Sequence, residues 1–206
     1  MALVVVGGHT RNIGKTGVMA GVIAAFPERA WTAIKITQYG HGVCSANGEP
    51  CDCATDDHTI AISEERSTTS NKDTARYLTA GAKRSMWVRT RQGQLAEAMP
   101  RVRMLIGEAD DAIVESNSVL RFVKPDLALF VVDGRVDDFK ESALRYLDRI
   151  DAFVCVGDAV GTGAANWENV AASLLRGKPC LRVNETFFRS EELEVFVRNK
   201  LANQRF

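Results

Sequence analysis

The sequence has no surplus of charge of either sign: its 206 residues hold 26 Lys and Arg against 26 Asp and Glu. A balanced chain projects no field that would draw in nucleic acid or an anionic membrane, so neither is expected as a partner and binding must be local. Long hydrophobic runs are missing as well. No apolar stretch approaches the roughly 18 residues that a membrane span needs, and Met1-Ala2-Leu3-Val4 carries no basic leader, so a cytoplasmic protein is expected. Cysteine is scarce and odd in number, five in all, which argues against a closed disulfide framework and suits a reducing compartment. Tryptophan is limited to Trp31, Trp87 and Trp167, scattered singly, which reads as packing rather than as a platform for stacking bases. Internal repeats and low-complexity tracts are absent too.

What the chain does have is alternation. Short apolar runs at Leu3 to Val6, Trp31 to Ile36, Ser85 to Arg89, Ala112 to Glu115, Leu127 to Val132, Ala152 to Val156 and Cys180 to Val183 are separated by helical periods. Leu95, Met99, Val102 and Ile106 show such a period, as do Phe139, Ala143, Leu147 and Ile150. This order predicts an α/β fold: a mostly parallel seven-stranded sheet with helices on both faces, in one domain over 1–206. Pro100 should kink or restart its helix, because it lacks the N–H that the i to i−4 bond requires. Ser190 is a candidate cap for the last helix, with Glu191 and Glu192 in its first turn. Cys155 and Cys180 fall in predicted strands and read as small core residues. The exception to the alternation is a Gly-, Ser-, Thr-, Asp- and Cys-rich insertion at about 38–71, longer than ordinary connections.

The first strand runs directly into Gly8-His9-Thr10-Arg11-Asn12-Ile13-Gly14-Lys15-Thr16 and then a helix. A glycine-bearing turn between strand and helix aims backbone N–H groups into one concavity, at the positive end of the helix dipole, and phosphate is the natural occupant. Lys15 would reach the outer phosphates, and Thr16 stands where such loops place a hydroxyl for magnesium. The spacing is G-x5-G-K-T, one residue longer than the common G-x4-G-K-[ST].

In doubly wound sheets the ligand lies beyond the carboxyl ends of the strands. Lys35 and Glu115 end two of the predicted strands there; Glu115 could hold magnesium or polarise an attacking group, and Lys35 could neutralise developing charge. Asp133 ends a third run as a weaker candidate of the same kind. Lys72-Asp73-Thr74-Ala75-Arg76 opens a helix that Gly81 should close, with Asp73 in its first turn able to face metal or substrate. In the insertion, Cys44, Cys51, Cys53 and His58, with His41 as the alternative imidazole, form a set suited to zinc or to an iron–sulfur cluster, or else to redox-reactive thiols. No Asn-Lys-x-Asp guanine motif is found, and Val183-Asn184-Glu185-Thr186 matches it poorly, so the expected nucleotide is ATP, with GTP the alternative. A homodimer across the nucleotide is compatible with the composition, which does not demand one.

Two families share specific residues. Gly8 to Thr16 resembles the loop of dethiobiotin synthetase and its relatives in the SIMIBI class of P-loop proteins, G-T-D-T-x-x-G-K-T, which implies phosphate and magnesium roles for Lys35 and Glu115. Glycines follow the acid in that family, whereas Ser116-Asn117-Ser118 follows it here, so its carboxylation chemistry is not implied. A more specific likeness, over roughly the first 120 residues, is to the molybdopterin-guanine dinucleotide biosynthesis protein B family. It is carried by Ile34-Lys35 with His41, then by Lys72-Asp73-Thr74 through Gly81-Ala82, matching K-D-[ST]-x-R-x-x-x-A-G-A. That resemblance implies a place for Asp73 in the nucleotide or magnesium site and a task in cofactor biosynthesis. The longer loop and the cysteine-bearing insertion depart from that family's pattern. The combined expectation is magnesium-dependent binding and hydrolysis of a nucleoside triphosphate, or phosphoryl transfer to an unidentified small molecule. The alternative is a nucleotide-gated metallochaperone or assembly adaptor that uses the Cys/His loop with a partner protein.

Overall fold

The computed structural model describes residues 1–40, 60–157 and 177–202. Its frame is one sheet of eight strands: β1 (Leu3–Gly8), β2 (Trp31–Tyr39), β3 (Ile60–Glu64), β4 (Arg84–Arg91), β5 (Asp111–Glu115), β6 (Leu127–Val132), β7 (Ala152–Val156) and β8 (Cys180–Val183). The spatial order is β3-β4-β2-β5-β1-β6-β7-β8, parallel throughout except for β3, which runs antiparallel to β4 at the edge. The α/β fold is the expected one, with one strand more than expected. The extra strand, β3, lies inside the insertion, and β2 reaches into the insertion as far as Tyr39. The apolar part of β3 is only Ile60-Ala61-Ile62, too short to stand out in a polar stretch.

Each central strand is buried on both faces, which is why these strands read as continuous Val, Ile and Leu runs. Val4, Val6, Ile113, Leu129 and Val131 pack on one side with α1 (Lys15–Ala25) and the C-terminal helix, while Val5, Ile34, Val114, Ala128 and Phe130 pack on the other with α3 (Leu95–Gly107). Successive residues of a strand thus serve opposite layers, as the two-residue period of a strand requires.

Helix ends follow local chemistry. Helix α2 (Asp73–Thr79) closes through Gly81, at φ 103°: the Gly81 N–H donates to the Leu78 carbonyl and the Ala82 N–H to that of Tyr77, a Schellman arrangement only a left-handed residue completes readily. The final helix, α5 (Glu191–Ala202), is capped by the Ser190 hydroxyl, which accepts the Leu193 N–H at 3.2 Å. Helix α3 runs on through Pro100 without a restart, the missing N–H leaving the Ala96 carbonyl without that partner. One helical expectation needs correction. The period at 139–150 is split into α4 (Glu141–Leu144) and a separate 3-10 turn at Leu147–Arg149; Ala143, Leu147 and Ile150 are buried nonetheless, so spacing reported burial better than it reported regularity. Cys155 lies in the core and Cys180 packs against it, as expected, but they do more than pack. They lie on neighbouring parallel strands, Cα atoms 6.0 Å apart, and are joined by a disulfide, because β7–β8 pairing brings together positions separated by 25 in sequence. Among the described residues no helix is long and apolar enough to cross a membrane.

Candidate functional site

The parallel sheet delivers β1, β2 and β5 side by side, and their carboxyl ends open onto one cleft. The loop from Gly8 to Thr16 rises from the first of these ends. Gly8 is still paired in the sheet, and its backbone is clamped by the Asn117 amide, which accepts the Gly8 N–H at 2.8 Å and donates to the Gly8 carbonyl at 2.9 Å. The chain then turns through Asn12, at φ 57°, and Gly14, at φ 91°, and enters α1 at Lys15. Gly14 is favoured on two grounds and Gly17 on one. The left-handed backbone at Gly14 is one that L side chains rarely adopt, and a Cβ at Gly14 or Gly17 would lie 2.5 or 2.3 Å from the ring of Phe188, itself at a positive φ of 53°.

The loop residues divide sharply in placement. Arg11 and Asn12 are exposed, whereas Ile13 is buried in the core beside α1 and offers the cleft only backbone. His9 is fully buried behind the loop: its Nε2 accepts the Asp133 N–H at 3.2 Å, and its Nδ1 lies 2.9 Å from the Asp138 carbonyl, to which it donates in the tautomer this pairing implies. Burial lowers its pKa below the usual 6.5. The Thr10 hydroxyl donates to the Asp138 carboxylate, and the Lys140 N–H donates to the His9 carbonyl at 2.9 Å, so the loop is laced to the segment that follows β6.

Four charged side chains and two hydroxyls meet where the loop faces β2 and β5. Glu115, nearly buried, accepts the Thr16 hydroxyl at 2.9 Å and the Tyr77 hydroxyl on the same oxygen, Oε2; its Oε1 is 3.6 Å from the Lys35 ammonium. Lys35 is also paired with Asp73, which stands at the start of α2. Lys15 folds its ammonium onto the Thr10 carbonyl, and desolvation lowers its pKa from the ordinary 10.5 to about 8 despite the nearby charge of Glu115. Tyr77 is fully buried, and its phenol is pushed well above 10 by burial and by the carboxylate it serves.

Sequence reasoning placed Lys15, Thr16, Lys35, Asp73 and Glu115, and the structure brings them together. Asp133 is not among them: its carboxylate is taken by the Arg135 guanidinium at 2.9 and 2.7 Å, which holds its pKa below the usual range. Cys44, Cys51, Cys53, His58 and His41 lie outside the described residues. Among the described residues no three His, Cys, Asp or Glu side chains gather into a metal-holding group. In the loop after β8, the Asn184 side chain accepts the Phe187 N–H at 2.6 Å and donates to the Arg189 carbonyl at 3.1 Å, and Glu185 pairs with Arg135. Tyr77, Asn117 and Phe188 went unread. Tyr77 follows Asp73 by four, one helical turn along the same face, and Asn117 follows Glu115 by two; those spacings were the available signals. Phe188 meets α1 from the far end of the chain and left no local trace.

No protein-family model matches the sequence, and no curated protein matches it. Solved structures do. HypB from Helicobacter pylori in complex with nickel aligns over 97% of this chain and 87% of its own, with 12% identity and a TM-score of 0.50. The hydrogenase maturation factor HypB from Archaeoglobus fulgidus aligns over 97% and 90%, with 12% identity and a TM-score of 0.51. At such identity the likeness speaks for architecture: the fold is that of a P-loop NTPase.

Proposed function

We propose that the protein binds a nucleoside triphosphate with magnesium and hydrolyses it or passes its terminal phosphoryl group to another molecule. The observation that carries this reading is the meeting of Lys15, Thr16, Lys35, Asp73 and Glu115 at the end of a left-turned glycine loop and the N-terminus of an 11-residue helix. In it, the loop N–H groups and α1 hold the phosphates and fix their line of departure. The Lys15 ammonium leaves the Thr10 carbonyl for the outer phosphates, and Lys35 turns toward the charge that develops during transfer. The donor set fits magnesium, a hard ion that takes one hydroxyl and one or two carboxylates and draws its other oxygens from phosphate and water. Thr16 and Glu115 would hold it, with Asp73 in reach through Lys35. When bound, the ion supplies charge neutralisation between the phosphates. Tyr77 and Lys35 keep Glu115 oriented, and ATP is favoured over GTP because no Asn-Lys-x-Asp motif is present. Nucleotide titration of the wild type and of Lys15→Ala tests the reading. Magnesium-dependent binding that the variant loses supports it, and equal affinity of the two refutes it.

The run from Lys72 through Gly81-Ala82, shared with the molybdopterin-guanine dinucleotide biosynthesis protein B family, forms α2 and its cap, so the matching residues include one side of this site. That supports a task in cofactor biosynthesis. A second reading is a nucleotide-gated metal carrier or assembly adaptor. It is favoured by the three cysteines and two histidines within 41–58 and by the fold shared with a nickel-bound HypB and a hydrogenase maturation factor. Metal analysis of protein purified without added ions separates the two readings: stoichiometric metal lost in Cys51→Ser with Cys53→Ser favours the carrier, and metal-free protein removes it.

A further inference from the structure

The site has two chambers. The smaller, about 360 Å³, is formed by Gly14, Thr16 and Gly17 at the mouth of α1. The larger, about 730 Å³, lies toward the ends of β2 and β4. They share a wall of Lys15, Lys35, Asp73 and Glu115. The nucleotide reading fills the smaller chamber and leaves the larger without a task, although its size is that of a small-molecule site.

Away from the shared wall, every charged residue lining the larger chamber is a cation: Arg11, Lys72 and Lys140. None of the three forms an ion pair among the described residues, and the two carboxylates in the chamber lining, Asp73 and Glu115, are both engaged by Lys35. In a chain whose charges balance overall, three cations lining one concavity, with Asp138 near Lys140 and Glu65 near Lys72 but neither of those carboxylates in the lining, mark a place suited to negative charge. Lys140 is held below its ordinary pKa by burial and by the neighbouring Arg11, against the pull of the Asp138 carboxylate, so an anion between the two cations would relieve their repulsion. The rest of the lining is hydroxyl and amide apart from Ile36 and the indole of Trp87, which is pinned by its Nε1–H to the Thr37 hydroxyl at 3.0 Å and forms a flat wall.

We propose that the larger chamber seats the second substrate, and that this substrate is a small acid whose carboxylate or phosphate ester is gripped by Arg11, Lys72 and Lys140 beside Trp87. The assignment rests on the nucleotide reading of the smaller chamber. Trp87 serves as the reporter, because Trp31 is fully buried and Trp167 can be replaced by Phe. The probe is iodide, an anionic quencher of indole fluorescence, compared with neutral acrylamide so that accessibility cancels from the ratio. The iodide-to-acrylamide ratio should fall at least twofold in Lys72→Ala with Lys140→Ala, and should persist when a non-hydrolysable ATP analogue and magnesium saturate the protein. A ratio unchanged by the double substitution overturns the proposal. So does a ratio that collapses when the analogue binds, since the three cations then belong to the triphosphate; that result leaves the nucleotide reading standing. Failure of the analogue to bind removes the nucleotide reading, and with it the role of second substrate. Protection of Trp87 from iodide by glycerol 3-phosphate identifies a phosphate ester, protection by succinate identifies a carboxylate, and protection by neither overturns the small-acid assignment.

Discussion

Replacing Lys15 by Met should make the ligand-free protein more stable, although it removes the residue proposed to grip the outer phosphates. The folded protein holds this ammonium partly desolvated, with its pKa drawn from the ordinary 10.5 to about 8. That displacement corresponds to up to about 3 kcal/mol of cost for carrying the charge at pH 7. The bond from the ammonium to the Thr10 carbonyl is lost with it, worth about 1 kcal/mol, which leaves a net gain of about 2 kcal/mol for Met, whose stem retains the packing. For a domain of this size the gain is about 4 to 8 °C in melting temperature. The sign also fixes the pH dependence. Between about pH 8 and 10.5 the unfolded chain keeps a proton that the folded chain has released, so Lys15 makes wild-type stability rise with pH through that window. The advantage of Lys15→Met should therefore be largest at pH 7 and shrink by pH 9.5. Urea denaturation of both proteins at the two pH values measures it. A variant that is no more stable at pH 7, or a gap that is the same at pH 9.5, would refute the reasoning.

The same ammonium predicts that nucleotide affinity is flat below about pH 8 and falls about tenfold per pH unit above it, because only the protonated lysine attracts phosphate; an affinity that stays level to pH 9.5 would exclude Lys15 from the contact. Tyr77→Phe removes a hydroxyl that donates to a buried carboxylate and should cost about 1.5 to 3 kcal/mol in urea unfolding, while raising the magnesium concentration needed for nucleotide binding. If stability falls and the magnesium requirement stays put, Tyr77 is structural only. Gly17→Ala drives a methyl against the Phe188 ring and should destabilise by about 1 to 3 kcal/mol, with Phe188→Leu restoring part of the loss; additive effects in the double variant would show that the two do not meet.

The parts of this architecture that a sequence reader can find are those where local pattern and global role coincide. Strands β1, β5 and β6 are buried on both faces and so appear as unbroken apolar runs, and Glu115 stands out because it ends one. Edge strand β3 is paired on one side only and carries too little apolar sequence to declare itself. Lys15 and Thr16 were legible from spacing. Tyr77 was not, because a buried tyrosine reads as core and only the fold reveals that its hydroxyl ends on Glu115, 38 residues away. Asp133 misled for the converse reason: its position at a strand end is right, but Arg135, two residues on, claims it. Phe188 and Gly14 lie too far apart in sequence for any periodicity to join them.

The stitches from His9 and Thr10 to Asp133, Asp138 and Lys140 have a mechanical consequence. Because the imidazole is locked at both nitrogens and the backbone is tied alongside it, residues 133, 138 and 140 are fastened to the Gly8–Thr16 loop at several points. Lys140, which lines the larger chamber, is therefore tied through the His9 carbonyl to the loop that borders the smaller one, so a shift of that loop carries one wall of the other chamber with it.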